Sequence, residues 1–135
     1  MTELRPPANA VSTATGFTWL DSSGIIIAVA NEQELHTLKD AEENTRINIQ
    51  LAQGIRRPFL INMTKLKSMS REARAFYAGP EPAKALLAVA ILTTSNIGNL
   101  VANFFLRLTR PSVPTRLFTD ADEAMEWLSQ YLNNL

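Results

Sequence analysis

Seven apolar residues stand in an unbroken row at Leu86-Leu87-Ala88-Val89-Ala90-Ile91-Leu92, and the polar run Thr93-Thr94-Ser95-Asn96 follows them. Seven is the length of a strand, and a strand without polar alternation has to be covered on both faces. The run therefore predicts a central strand of an α/β sandwich with helices on both sides. Directly after it, Ile97, Leu100, Val101, Phe104, Phe105 and Leu108 recur at helical spacing. They predict an amphipathic helix from Ser95 or Asn96 to about Thr109, ended by Pro111 and Pro114.

The remaining elements follow from the same kind of reading. Phe17 to Leu20 and Gly24 to Val29 are β-branched or aromatic, and Asp21-Ser22-Ser23-Gly24 between them has turn composition, which predicts a β-hairpin. Asn31, with Glu34 at capping-box spacing, predicts the start of a long helix that runs to about Gln53. Its buried stripe is expected at Leu35, Leu38, Thr45, Ile49 and Ala52, with Ile47 and Leu51 facing away. Phe59 to Met63 reads as a second buried strand, parallel to a hairpin strand through a right-handed crossover. Ser70 is the natural cap of a short helix that Gly79-Pro80 ends. Arg116-Leu117-Phe118 gives a short last strand, and Asp120 caps a final helix with Ala124, Leu128, Tyr131 and Leu132 inward. The predicted order is β-β-α-β-α-β-α-β-α, a single domain over residues 16–135. Residues 1–15, rich in Pro, Ala, Ser and Thr, are expected to be a flexible tail.

Composition narrows the chemistry. The chain has 135 residues, no cysteine and a single histidine, His36. Thiolate nucleophiles, zinc–thiolate sites and multi-histidine metal sites are excluded. Thirteen basic residues balance thirteen acidic ones, which argues against bulk capture of nucleic acid. The start of the chain carries no apolar stretch of signal-peptide length and no run reaches membrane-spanning length, so a cytoplasmic protein without a transmembrane segment is expected. His36, near the start of the long helix, has no nucleophile or carboxylate placed for it by spacing and is expected at the surface.

Two groups of residues remain as candidate sites. Lys65, Lys67, Ser70, Arg71 and Arg74, with Arg56 and Arg57 nearby, form a basic cluster opposed within its span only by Glu72. At a helix start it suits an anion or an acidic partner; the plainer reading is a solvated face with Ser70 as a cap. Thr94, Ser95, Asn96 and Asn99 follow the carboxyl end of the central strand, where α/β sheets place small ligands; here too the alternative is helix capping.

Three stretches resemble the STAS superfamily, the SpoIIAA-like fold of bacterial anti-sigma-factor antagonists. They are Phe59 to Ser70, Leu86 to Leu92, and Pro114 to Asp120 continuing into Ala124-Met125-Glu126-Trp127-Leu128. The likeness covers about Phe17 to Leu132 and implies a mixed, mostly parallel sheet of about five strands with about four helices. In the antagonists a kinase phosphorylates a serine of a D-S-[ST]-G motif at the start of the helix after the second buried strand. Aligned on that motif, Ser70 falls on its aspartate, Arg71 and Glu72 fall on its serines and Ala73 on its glycine. The acceptor is absent there, and the literal Asp21-Ser22-Ser23-Gly24 lies in the hairpin turn.

Since the sequence offers no catalytic or metal-ligating set, no enzyme activity, cofactor or metal is expected, and the first expectation is a regulatory or scaffold module. Its expected partner is a protein docking on the Lys65–Arg74 segment, with a homodimer as a further expectation. The alternative is a small-molecule or lipid carrier of SEC14-like type, with an apolar pocket near Phe104, Phe105 and Trp127. If Leu86–Leu92 is a central strand, its amides exchange with deuterium more slowly than those of any loop. Rapid uptake measured by mass spectrometry across that segment contradicts the assignment.

Overall fold

The structure, a computed structural model, describes residues 4–93 and 113–134. The helix expected from Ser95 or Asn96 to Thr109 lies outside the described residues, as do Thr94, Ser95, Asn96 and Asn99.

Six strands are described: β1 (Val11–Thr13), β2 (Gly16–Leu20), β3 (Ile26–Ala30), β4 (Arg57–Asn62), β5 (Leu86–Leu92) and β6 (Thr115–Phe118). They form one sheet in chain order. The first three pair antiparallel, and β3 through β6 pair parallel. The helices are α1 (Leu38–Ala52), α2 (Arg71–Tyr77), α3 (Pro80–Ala83) and α4 (Ala121–Ser129), with a 3-10 turn at Leu132–Asn134. The mixed, mostly parallel α/β sheet is the expected class, with one strand more than the five anticipated. The extra strand is β1, inside the segment expected to be a flexible tail. Too short and polar to show an apolar pattern, it joins the sheet as an edge strand through its pairing with β2.

The β1–β2 corner explains Gly16. Its φ is +154°, and a Cβ there would stand 2.0 Å from the Val29 carbonyl oxygen, so the close approach of β2 to β3 at this point requires glycine.

As predicted, β5 lies inside the sheet, between β4 and β6. One face of the sheet places Trp19, Ile25, Ile27, Leu60, Ala88, Ala90, Leu92 and Phe118 against Ala121, Ala124 and Leu128 of α4. The alanines Ala88 and Ala90 leave room for that helix to approach. On the other face Ile26, Ala28, Phe59 and Leu86 gather with Ala52 and Ala85. The alternation of β5 is shifted at its start by an irregularity. Arg57 pairs with Leu86 but Pro58 pairs with Ala88, which leaves Leu87 as an extra residue. Proline has no N–H to give to the ladder, so an interior strand tolerates it at such a bulge.

The long helix begins later than predicted. Its cap is Thr37, whose side chain accepts from the Asp40 amide while the Asp40 carboxylate accepts from the Thr37 amide. Asn31 and Glu34 form no cap. Residues 31–36 run instead beside the segment after β4, with bridges Gln33 to Leu66 and His36 to Met69. The His36 amide donates to the Ser68 carbonyl, and the Ser70 amide donates to the His36 carbonyl, each at 2.9 Å. These long-range bonds satisfy the backbone that a helical turn would otherwise have satisfied. The buried stripe shifts accordingly to Ala41, Thr45, Ile47, Asn48 and Ala52, while Leu35 and Leu38 are exposed. Ser70 caps α2 through the Ala73 amide, and Asp120 caps α4 through the amides of Asp122 and Glu123, both as expected.

Leu60 is fully buried, whereas Leu35 is 51% exposed. Leu60→Ala is expected to lower stability by about 2–5 kcal/mol, and Leu35→Ala to change it by less than about 0.5 kcal/mol. Urea denaturation midpoints measure the contrast.

Candidate functional site

Between the sheet and the layer formed by α1, α2 and α3 lies a cavity of about 350 Å³. Its floor is apolar: Phe59, Ile61, Val89 and Ile91 come from the central strands, and Phe17 and Val29 from the hairpin. α1 contributes Asn44 and Asn48, one turn apart, and α2 contributes Arg74 and Tyr77.

The polar wall of the cavity centres on His36. Expected at the surface, this histidine is 5% exposed, because the loop that carries it is pinned to the residues after β4. Its ring lies 5.7 Å from that of Tyr77, stacked on it. The two ring nitrogens have different partners. Nδ1 lies 3.2 Å from Gln33 Oε1 and Nε2 lies 2.8 Å from Tyr77 Oη. The consistent arrangement is Nδ1–H donating to the Gln33 oxygen and Nε2 accepting the Tyr77 proton. Tyr77 Oη in turn accepts from Asn44 Nδ2 at 3.3 Å. Asn44 also meets the Thr15 hydroxyl at 3.2 Å, and Gln33 Nε2 donates to the Thr15 carbonyl at 2.8 Å. Four separate segments are thus joined in one hydrogen-bonded ring.

Burial sets the charge state of this ring. It pulls the His36 imidazole below its ordinary value of 6.5, against a smaller upward pull from the Asp40 carboxylate. It also raises the Tyr77 phenol above its usual value, with the Asn44 hydrogen bond opposing and Asp40 adding to the rise. Both groups are therefore neutral near neutral pH. Asn48 is different. It is 5% exposed, and its Oδ1 has no hydrogen-bond partner. An unsatisfied buried acceptor costs about 1–3 kcal/mol.

The residues singled out from the sequence divide among different roles. Lys67 and Arg74 line the cavity, while Lys65 and Arg71 are exposed away from it. Lys67 is engaged by Glu34 at 2.9 Å and Glu32 at 3.7 Å. Ser70 serves as the cap of α2. Arg56 and Arg57 belong to no shared basic face: their Nε groups donate to the backbone carbonyls of Leu86 and Ala52, and Arg57 is buried. The pocket anticipated at Trp127 is displaced. Trp127 packs between Phe118 and Tyr131 on the α4 side of the sheet, opposite the cavity, and Phe104 and Phe105 lie outside the described residues. Gln33, Asn44, Asn48 and Tyr77 were missed. The available signal was two asparagines four apart inside a helix, where asparagine is a poor helix former.

The sequence matches the family DUF7793, a domain of unknown function, over residues 18–132. None of the curated proteins matches it. Among solved structures, it is similar to the crystal structure of an uncharacterised DUF3478-family protein with a SpoIIAA-like fold from Shewanella loihica PV-4. The identity is 21% and the TM-score 0.55, covering 95% of this chain and 98% of that one. That likeness shows the fold to be SpoIIAA-like, as the residue pattern implied. A crystal structure of a protein with unknown function from Arthrobacter sp. FB24 is 31% identical with a TM-score of 0.36, covering 89% of this chain and 97% of the other.

The sign of the His36 effect gives a pH dependence. A base whose folded value is depressed stays neutral in the native state while the unfolded chain takes up the proton. Its contribution is intact above 6.5 and is lost as pH falls from there toward the lower folded value. Between about pH 7.5 and about pH 5.5 the melting temperature is expected to fall, and to fall less in His36→Gln. Calorimetric melts of the two proteins at both pH values measure the difference.

Proposed function

The chain belongs to the DUF7793 family of domains of unknown function, and we propose that it is a non-enzymatic module that binds a small, largely apolar molecule in the cavity beside His36 and Tyr77. The observation that carries this reading is the cavity itself. Its volume of about 350 Å³ falls within the range of small-molecule sites, as does its apolar floor with few polar groups. His36, Asn44, Asn48 and Tyr77 give its wall the few polar groups that orient an occupant.

The non-enzymatic part of the reading rests on how His36 is held. Both ring nitrogens have neutral partners within the protein, and burial disfavours the imidazolium. Such a ring orients its neighbours and is poorly placed to take a proton from a substrate. A docking role for the Lys65–Arg74 segment draws less support. Lys67 is balanced by two glutamates, and Ser70 is occupied as a cap.

Native mass spectrometry of freshly purified protein is expected to show a bound mass of a few hundred daltons that organic extraction releases. Val89→Trp, which fills the floor of the cavity, is expected to abolish that mass while the circular dichroism spectrum stays unchanged. Protein that is free of ligand and gains no thermal stability from any member of an apolar-compound panel contradicts the proposal.

A further inference from the structure

The charged side chains lining the cavity are of one sign. Among the described residues Lys67 and Arg74 reach it, and no aspartate or glutamate does. The two cations differ in what already holds them. Lys67 Nζ stands between Glu34 and Glu32. The half-buried Arg74 has no acidic partner among the described residues. Its backbone is fixed in α2, where its amide donates to the Ser70 carbonyl and its carbonyl accepts from the Ala78 amide. Three residues separate Arg74 from Tyr77, so both side chains leave the same side of the helix and stand together at the cavity wall.

The polar residues that line the cavity together with Arg74 include Tyr77, His36, Asn44 and Asn48, which provide dipoles; the Asp40 carboxylate acts on His36 and Tyr77 but does not line the cavity. A cation beside an apolar cavity is partly stripped of water, and a lone charge in that position is costly. The same setting strengthens any anion that reaches it, because the planar guanidinium offers paired N–H groups to a carboxylate or phosphate. On the apolar-ligand reading above, we infer that the occupant is an amphipathic anion: an apolar body over Phe59, Ile61 and Val89, with a single acidic head at Arg74. The cationic wall discriminates against neutral compounds of the same shape and, more strongly, against amines.

Paired probes test this on the full chain by isothermal titration calorimetry. Decanoate and decanol share a chain and differ in charge. Wild-type protein is expected to bind decanoate about tenfold more tightly than decanol, the size of one charge-assisted hydrogen-bonded contact at a half-exposed site. Arg74→Gln is expected to lose about that tenfold for decanoate and to leave decanol binding unchanged, which also reports that the variant is folded. Decyl phosphate compared with decanoate identifies which acidic head is preferred, and preference for either over decanol supports the inference. Equal wild-type affinity for decanoate, decyl phosphate and decanol overturns the acidic head and leaves the apolar-ligand reading standing. Undiminished decanoate binding in Arg74→Gln does the same. Failure of all three probes to bind wild-type protein overturns both.

Discussion

A parallel sheet needs cover on both of its faces, and in this chain the two faces are covered unequally. On one side α4 sits directly on the alanines of β5 and on Leu60, and the packing there is continuous. On the other side the helical layer stands off the sheet far enough to leave a cavity of about 350 Å³. His36, Tyr77 and Arg74 all line the space on that second side. Space next to an apolar floor loses dispersion contacts that a packed core would have. A chain that keeps such a space gives up stability unless something fills it.

The hydrogen-bonded ring around His36 holds the wall of that space in place. Thr15 comes from the β1–β2 corner, Gln33 and His36 from the loop before α1, Asn44 from α1 itself, and Tyr77 from α2. None of these segments is a neighbour in sequence of all the others. Their fixed relation depends on neutral partners whose donors and acceptors match one by one. Burial makes the match strict, because a ring member without a partner would bear the cost of desolvation alone.

What could be read from the sequence was what local chemistry decides. The apolar run at Leu86–Leu92 announced an interior strand, and Ser70 and Asp120 announced helix starts, because caps and unbroken apolar runs act within a few residues. The start of α1 was not legible. Asn31 with Glu34 and Thr37 with Asp40 carry equivalent capping signals, and the choice between them is made by bridges to Leu66 and Met69, more than thirty residues away. The burial of His36 follows from the same bridges, so it was hidden for the same reason. The cavity depended on three helices and the sheet meeting at one place, which periodicity within any single element does not encode.

The extra residue Leu87 has a consequence for which changes of length the chain can accept. In a regular strand Leu86 and Ala88, two apart, would point the same way; with the irregularity at Leu87, Leu86 joins the helical side while Ala88 and Ala90 turn toward α4. Losing Leu87 itself would restore a regular ladder and leave both residues facing their present layers. Losing a residue between Ala88 and Leu92 would instead turn the side chains before or after the cut over to the opposite layer, setting Ile91 against α4 where Ala90 now leaves room. The strand is therefore tolerant of a change in length at Leu87, and the spacing from Ala88 to Leu92 works as a fixed ruler for the two halves of the core.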